Sequence, residues 1–284
     1  DELLAPENAT SEIARINAAS GASTAVSPAT AALVAASLDA AHRTGGAFDP
    51  TVYPLTSAWG FTTGDHRVPS PDEVAALLPC VGYAAVQVDE AAGTVTLEDG
   101  AQIDVGGVAK GFAADELRAL LRERDITSAL FDLGGNVTAL GSKPDGSPWK
   151  VGVADPDDPG KLAGLLEVRD ATVSTSGAYQ RYFEGKDGTR YHHLLDPSTG
   201  YPAASDLASA SIVGADGAQC DALSTACFVL GLDGALDLWR AAAADGDAAF
   251  DLVLIASDGR TFVTDGIADA YTPAAGTNAQ VVRS

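Results

Sequence analysis

The stretch from Gln102 to Leu117, QIDVGGVAKGFAADEL, constrains this chain more than any other. A short apolar run ends in Asp104, two glycines and a Lys-Gly pair follow, and a helical pattern begins. Read as strand, turn and helix, it brings backbone N–H groups and the positive end of a helix dipole to one place, which suits a phosphate or pyrophosphate. The spacing of Gly106, Gly107 and Gly111 fits neither G-x-x-x-x-G-K-[ST] nor G-x-G-x-x-G. The competing reading is a tight turn in which the glycines only supply positive φ. In the helix that follows, Ala113, Leu117, Leu120 and Leu121 are expected to form the apolar stripe.

With 284 residues, 46% of them hydrophobic, the chain can bury a core large enough for one large domain or two packed ones. The net charge of −22 argues against general affinity for nucleic acid or an anionic membrane. A polyanionic ligand would then need a metal ion or a local basic group to offset the field. The acids are scattered, which fits a composition bias better than a site. No apolar run is expected to reach the roughly 20 residues of a membrane helix. The chain starts at Asp1 and holds no Met, so a leader, a lipid anchor or an opening strand is expected to precede it. Cys80, Cys220 and Cys227 lack C-x-x-C spacing, and Cys227 reads as a small buried hydrophobe.

Residues 1–26 read as a polar opening with a helical turn over Ser11 to Asn17. Ser27-Pro28 and Ser70-Pro71 are cap-plus-proline helix starts, the first helix stopping at Gly45-Gly46. Residues 47–61 read as a loop carrying aromatic side chains. Alternation predicts a hairpin over Val86 to Leu97, strands ending near Gly134-Gly135, four strands between Trp149 and Phe183, a strand over Ala208 to Val213 and a late hairpin from Leu252 to Thr264. Helices are predicted from Cys220 to a stop at Gly231 and from Ala235 to Ala244. The last dozen residues read as frayed.

Three groups could carry chemistry. Asp221 and Thr225, four apart near a helix N-terminus, present oxygens on one face, a partial Mg²⁺ shell or simply a dipole-stabilising acid and a back-bonded hydroxyl. His193 could act as a base or hold a phosphate with Asp196 as its orienting partner, or be a core histidine sharing a strand face with Leu195. Ser174-Thr175-Ser176-Gly177 offers hydroxyls in a turn.

In fixed order, Gly46-Ala47-Phe48-Asp49-Pro50-Thr51-Val52, Trp59-Gly60-Phe61, Ile103 to Gly111, Leu133-Gly134-Gly135-Asn136, Ser174 to Gly177, His192 to Gly200 and Asp221 to Ala226 resemble the ApbE family of FAD:protein FMN transferases. The resemblance implies an α+β, T-fold-like architecture of mixed sheet and helix layers, as one large domain over residues 1–284. It implies Mg²⁺ as cofactor, FAD as substrate, and transfer of FMN through a phosphoester to a Thr or Ser of an acceptor flavoprotein, with release of AMP. By motif position it implies Gly107, Asp221 and Thr225 as metal ligands, Ala47, Phe48, Asp49, Asp104 and Lys110 as FAD contacts, and His193 as the catalytic histidine. The family's opening strand, with a Met-Gly-Thr-like segment, has no counterpart here. An FAD pyrophosphatase and a non-catalytic flavin carrier are the alternatives. The family favours an extracytoplasmic or anchored location, with a cytoplasmic one open; membrane association would come only through a missing N-terminal anchor.

Overall fold

The structure is a computed structural model that describes residues 3–158, 160–245 and 250–284. The first two residues of the polar opening lie outside the described residues. The chain forms two compact units interleaved in sequence, one of Asp1–Ala109 with Arg181–Ala204, the other of Lys110–Gln180 with Ser205–Ser284.

In the first unit, serine hydroxyls start the helices. Ser11 caps α1 (Glu12–Ala18), Ser27 caps α2 (Pro28–Arg43) and Ser70 caps α4 (Pro71–Leu77), each accepting a first-turn N–H. Gly45 and Gly46, at φ 59° and 85°, end α2 as expected. β1 (Thr24–Ala25), β2 (Val86–Asp89) and β3 (Thr94–Leu97) make a small antiparallel sheet with β3 in the middle. Residues 47–61 hold more structure than a loop: a 3₁₀ turn over Pro50–Val52 leads into α3 (Tyr53–Ala58). The turn forms because Asp49 caps it and proline sits at its first position. Trp59 is fully buried and donates from Nε1 to the Gly200 carbonyl, 2.9 Å away. Leu55, Phe61, Val74 and Leu195 surround it. That bond ties the Trp-Gly-Phe motif to the Asp-Pro-Ser-Thr-Gly loop, where Gly200 takes φ 76° with Val74 and Leu55 against it.

Residues 101–105, just before α5 (Gly106–Glu123), form no strand, and the glycines lie within its first turns without positive φ. Its buried face also differs from the expected stripe. Ala113 and Leu120 are exposed, whereas Val108, Ala114 and Arg118 are buried. Arg118 is held by Asp115 and by the Ala215 carbonyl.

In the second unit β4 (Ala129–Asp132), β5 (Asn136–Leu140), β6 (Trp149–Ala154), β7 (Leu162–Val168) and β8 (Thr172–Gly177) come first. β9 (Tyr182–Glu184) and β10 (Arg190–His192) then pair as a ribbon in the first unit. The chain returns through β11 (Leu207–Gly214), α6 (Gly217–Asp245), β12 (Phe250–Ala256), β13 (Thr261–Thr264), β14 (Tyr271–Pro273) and β15 (Ala279–Val282). A seven-stranded sheet runs β15-β13-β12-β11-β8-β5-β4, and a three-stranded sheet runs β14-β7-β6. The last dozen residues are therefore partly ordered: β15 pairs parallel with β13 at the sheet edge.

Strand alternation separates the faces of the large sheet. Val173, Val213, Val253, Ile255 and Val263 pack on Val151, Val153, Leu166, Val168 and Tyr271 of the small sheet. The opposite face meets α6, which packs on β8, β11 and β12. Gly231, at φ 73° and ψ −176°, breaks α6 where the sequence placed its stop. Gly217–Ala244 is long and apolar enough to cross a membrane by length and composition, contrary to the expectation that no such run exists. It is 56% buried over its most apolar window, as a core helix is.

Candidate functional site

In the first unit the candidate FAD contacts take different roles. Asp49 is buried, and both its oxygens are engaged: Oδ1 accepts Thr51 N–H and Oγ1–H at 2.8 and 2.6 Å, and Oδ2 accepts Tyr83 N–H at 2.9 Å. Burial pushes its carboxyl above the ordinary value despite these three donors. Asp49 thus pins the 3₁₀ turn to the loop before β2. Ala47 is half-buried, its N–H bonded to the Thr44 carbonyl. Phe48 is buried, and its ring lies where a Cβ on Gly107 would stand, with Cε2 2.9 Å from that point. Glycine at 107 is a close-approach residue here, and φ plays no part.

Asp104 Oδ1 accepts the Gly106 N–H at 2.8 Å, so one amide expected for a phosphate is already taken by a carboxylate. Burial raises the Asp104 carboxyl, the Gly106 N–H opposes it, Glu7 adds to the rise and Arg181 resists it. His193 lies just past β10 and outside any strand, so it shares no strand face with Leu195. Its Nδ1 sits 3.1 Å from the Arg181 carbonyl. A carbonyl only accepts, so this bond puts the proton on Nδ1 and the lone pair of a neutral ring on Nε2. The Nδ1 partner is the Arg181 carbonyl, while Asp196 Oδ1 accepts the Ser198 N–H and hydroxyl at 2.8 and 2.7 Å. An aspartate two residues before a serine closes its own turn more readily than it reaches back to a histidine.

The second unit brings its three candidates together. Asp221 and Thr225 project from one face of α6 toward β8, as their spacing predicts. Asp221 is 4% exposed. Its Oδ2 accepts the Gly111 N–H at 3.1 Å, its Oδ1 lies 3.4 Å from Ser174 Oγ and 3.9 Å from Lys110 Nζ, and the Asn136 amide stands near the carboxylate. The backbones allow this because Gly111 and Gly217 meet face to face: a Cβ on Gly217 would stand 2.6 Å from the Gly111 carbonyl oxygen. Around Asp221 stand hydroxyls. Ser176 Oγ is 2.8 Å from Ser224 Oγ and 3.3 Å from Thr225 Oγ1. Lys110 lays its aliphatic stem over Gly134, and the Gly134-Gly135 turn, at φ 65° and 97°, delivers Asn136 to the start of β5.

Burial raises the Asp221 carboxyl above its ordinary value; Lys110, the Asn136 amide, the Gly111 N–H and the Ser174 hydroxyl pull against that without cancelling it. A buried carboxylate with one poorly satisfied oxygen, a hydroxyl 3.4 Å from it and Thr225 one helical turn along, fits a hard divalent cation. Among the described residues no group of three or more His, Cys, Asp or Glu could hold a metal, so any shell here must draw on hydroxyl and backbone oxygens. In sequence Asn136 stands out only as the end of the Leu133-Gly134-Gly135-Asn136 motif; its Oδ1 accepts the Ser174 hydroxyl at 2.6 Å across the β5–β8 pairing, which no local pattern announces.

Fold and site define an α+β protein with an oxygen-donor pocket built on a buried helix-borne aspartate. The ApbE family model matches residues 1–250. The FAD:protein FMN transferase of Treponema pallidum is 39% identical over 254 residues, covering 84% of this chain and 70% of that protein. Among solved structures, the ApbE protein of Thermotoga maritima superposes with a TM-score of 0.85 at 34% identity, covering 95% of this chain and 86% of that one. Apo flavinyl transferase ApbE of Pseudomonas stutzeri gives 0.81 at 32%, covering 95% and 84%. The chain belongs to the ApbE family.

Proposed function

We propose that this chain, as one ApbE-like domain, is an FAD:protein FMN transferase that uses Mg²⁺ to move FMN from FAD onto a Thr or Ser hydroxyl of an acceptor flavoprotein. The hydroxyl oxygen bonds to the FMN phosphorus, the bond between the two phosphates breaks, and AMP leaves with the displaced oxygen. The observation that carries this reading is the buried Asp221 carboxylate, short of donors on Oδ1 with Ser174 Oγ 3.4 Å away and Thr225 one helical turn along, in a chain of net charge −22.

Asp221 and Thr225 would hold the cation, which when bound offsets pyrophosphate charge. Gly107 joins them on motif position alone. Lys110, with an exposed head, supplies a positive charge for a phosphate oxygen. His193, with its proton on Nδ1, has Nε2 as the atom able to take the acceptor hydroxyl's proton. Phosphoryl transfer of this kind depends on positioning and charge more than on covalent help.

The test is incubation with FAD, Mg²⁺ and an acceptor flavoprotein domain, reading covalent flavin fluorescence on the acceptor and AMP in solution. Labelled acceptor with equal AMP is the expected result. AMP and free FMN without labelling would replace the reading by FAD hydrolysis, and FAD retained without AMP would leave only binding.

A further inference from the structure

We infer that Asn136 is a positioning residue for Asp221: by taking the Ser174 hydroxyl proton it keeps Asp221 Oδ1 open to a divalent cation. The inference rests on the cation reading above and concerns residues of the second unit alone.

Ser174 carries one hydroxyl proton and faces two acceptors. Asn136 Oδ1 is 2.6 Å away and Asp221 Oδ1 is 3.4 Å away, so the proton belongs to Asn136. Asn136 and Ser174 are direct partners across β5 and β8, so the geometry is fixed by the sheet ladder rather than by two flexible side chains. Asn136 is 1% exposed, and its Nδ2 makes no hydrogen bond of ordinary length among the described residues, yet the amide sits near enough to Asp221 to favour the ionised carboxylate. This fixes the amide orientation: NH₂ toward the carboxylate, oxygen toward the serine. Without that oxygen the serine proton would turn to Asp221 Oδ1, and a cation would have to break the new bond before binding. The role is therefore negative: Asn136 removes a competitor.

The test uses the full chain and Mn²⁺ as probe, followed by titration calorimetry and by the electron paramagnetic resonance of free Mn²⁺. Asn136→Leu keeps the branched shape, in a somewhat larger side chain, and deletes the acceptor; it should weaken Mn²⁺ binding about 10-fold or more, the usual effect of losing an outer-shell partner. Adding Ser174→Ala to that variant removes the competing proton and should recover most of the lost affinity, a rescue that a merely structural role would not produce. Asn136→Asp keeps an acceptor at the same place and should bind Mn²⁺ at least as well as the parent chain, which keeps the test decisive should Asn136→Leu fail to fold. Wild-type affinity in Asn136→Leu, no recovery in the double variant, or a 10-fold loss in Asn136→Asp would each overturn the inference. Failure of the parent chain itself to bind Mn²⁺ would instead remove the cation reading on which it rests.

Discussion

Gly111→Ala is the sharpest perturbation the structure offers, because two effects of opposite sign can be compared. A Cβ at position 111 would stand 2.5 Å from the Gly217 carbonyl carbon and 2.9 Å from the Ala218 nitrogen, and nearer still to the Gly217 carbonyl oxygen. These are backbone atoms of α6, so no side chain can swing aside. The two backbones would have to part by about 1 Å in a region packed at crystal-like density. Overpacking of that kind costs about 1–3 kcal/mol. The Gly111 N–H to Asp221 Oδ2 bond, now 3.1 Å, would open with it. Loss of a hydrogen bond to a charged group adds about 1.5–3 kcal/mol. Against this, alanine gains about 1 kcal/mol over glycine in a helix interior. The balance is a destabilisation of about 1.5–5 kcal/mol. Urea unfolding followed by circular dichroism reads it as a lower midpoint. Ala113→Gly, at an exposed position two residues along the same helix, is the control and should cost about 1 kcal/mol from propensity alone. A midpoint in Gly111→Ala equal to or above the parent's would mean that propensity wins and that the helices do not meet as described.

Other outcomes follow from the same geometry. Burial holds the Asp49 carboxyl above its ordinary 3.8, so the folded chain keeps that proton to higher pH than the unfolded chain. The associated stability is complete below 3.8 and is lost as pH rises through the folded value; urea midpoints of parent and Asp49→Asn should therefore diverge with pH in the acid range, the parent losing ground, and a pH-independent gap would count against it. Cys227 is fully buried with its thiol pushed up to about 12, Cys220 is buried and likewise raised, and Cys80 is half-buried, so an aromatic disulfide reagent at pH 8 should titrate one thiol in the native chain and three after denaturation. Trp59→Phe keeps the packing but drops the Nε1–H bond to Gly200, leaving that buried carbonyl without this donor; a loss of about 1–3 kcal/mol is expected, and unchanged stability would show that the bond is dispensable.

What was legible in the sequence was local. Ser27-Pro28 and Ser70-Pro71 announce helices because a cap and a fixed φ act within four residues, and Gly231 announces a break because only glycine takes φ 73° freely. The pairing of Asp221 with Thr225 is legible for the same reason, since four residues make one helical turn. What stayed hidden depends on distant neighbours. Arg118 is buried because Asp115 and the Ala215 carbonyl meet it, a contact across 97 positions that no amphipathic pattern encodes. His193 takes its partner from the Arg181 carbonyl, a group every residue possesses, so sequence pointed to the nearest carboxylate instead. β15 pairs parallel with β13 through only four residues, Ala279–Val282, too few for a local pattern to separate them from a frayed end.

The Gly-rich stretch shows best how one observation can change a function while keeping its location. Three glycines in the first turns of α5 each cost helix stability relative to alanine, about 1 kcal/mol apiece, and none is there for its φ. Each instead has a neighbour where a side chain would stand: the Asp104 carboxylate at 106, the Phe48 ring at 107, the Gly217 backbone at 111. Two of the amides they carry are not left for a phosphate. Gly106 donates to Asp104 and Gly111 to Asp221. A helix start whose amides go to carboxylates is a poor anion cradle, because the charge it would offer is already neutralised. It is a good device for orienting acids. An anionic substrate must then be met by other positive charge; in a protein of net charge −22 Lys110 offers one such charge, and the proposed function adds a cation at Asp221. Under the proposed function, the call for a divalent ion would follow from where the backbone amides point as much as from which residues could ligate it.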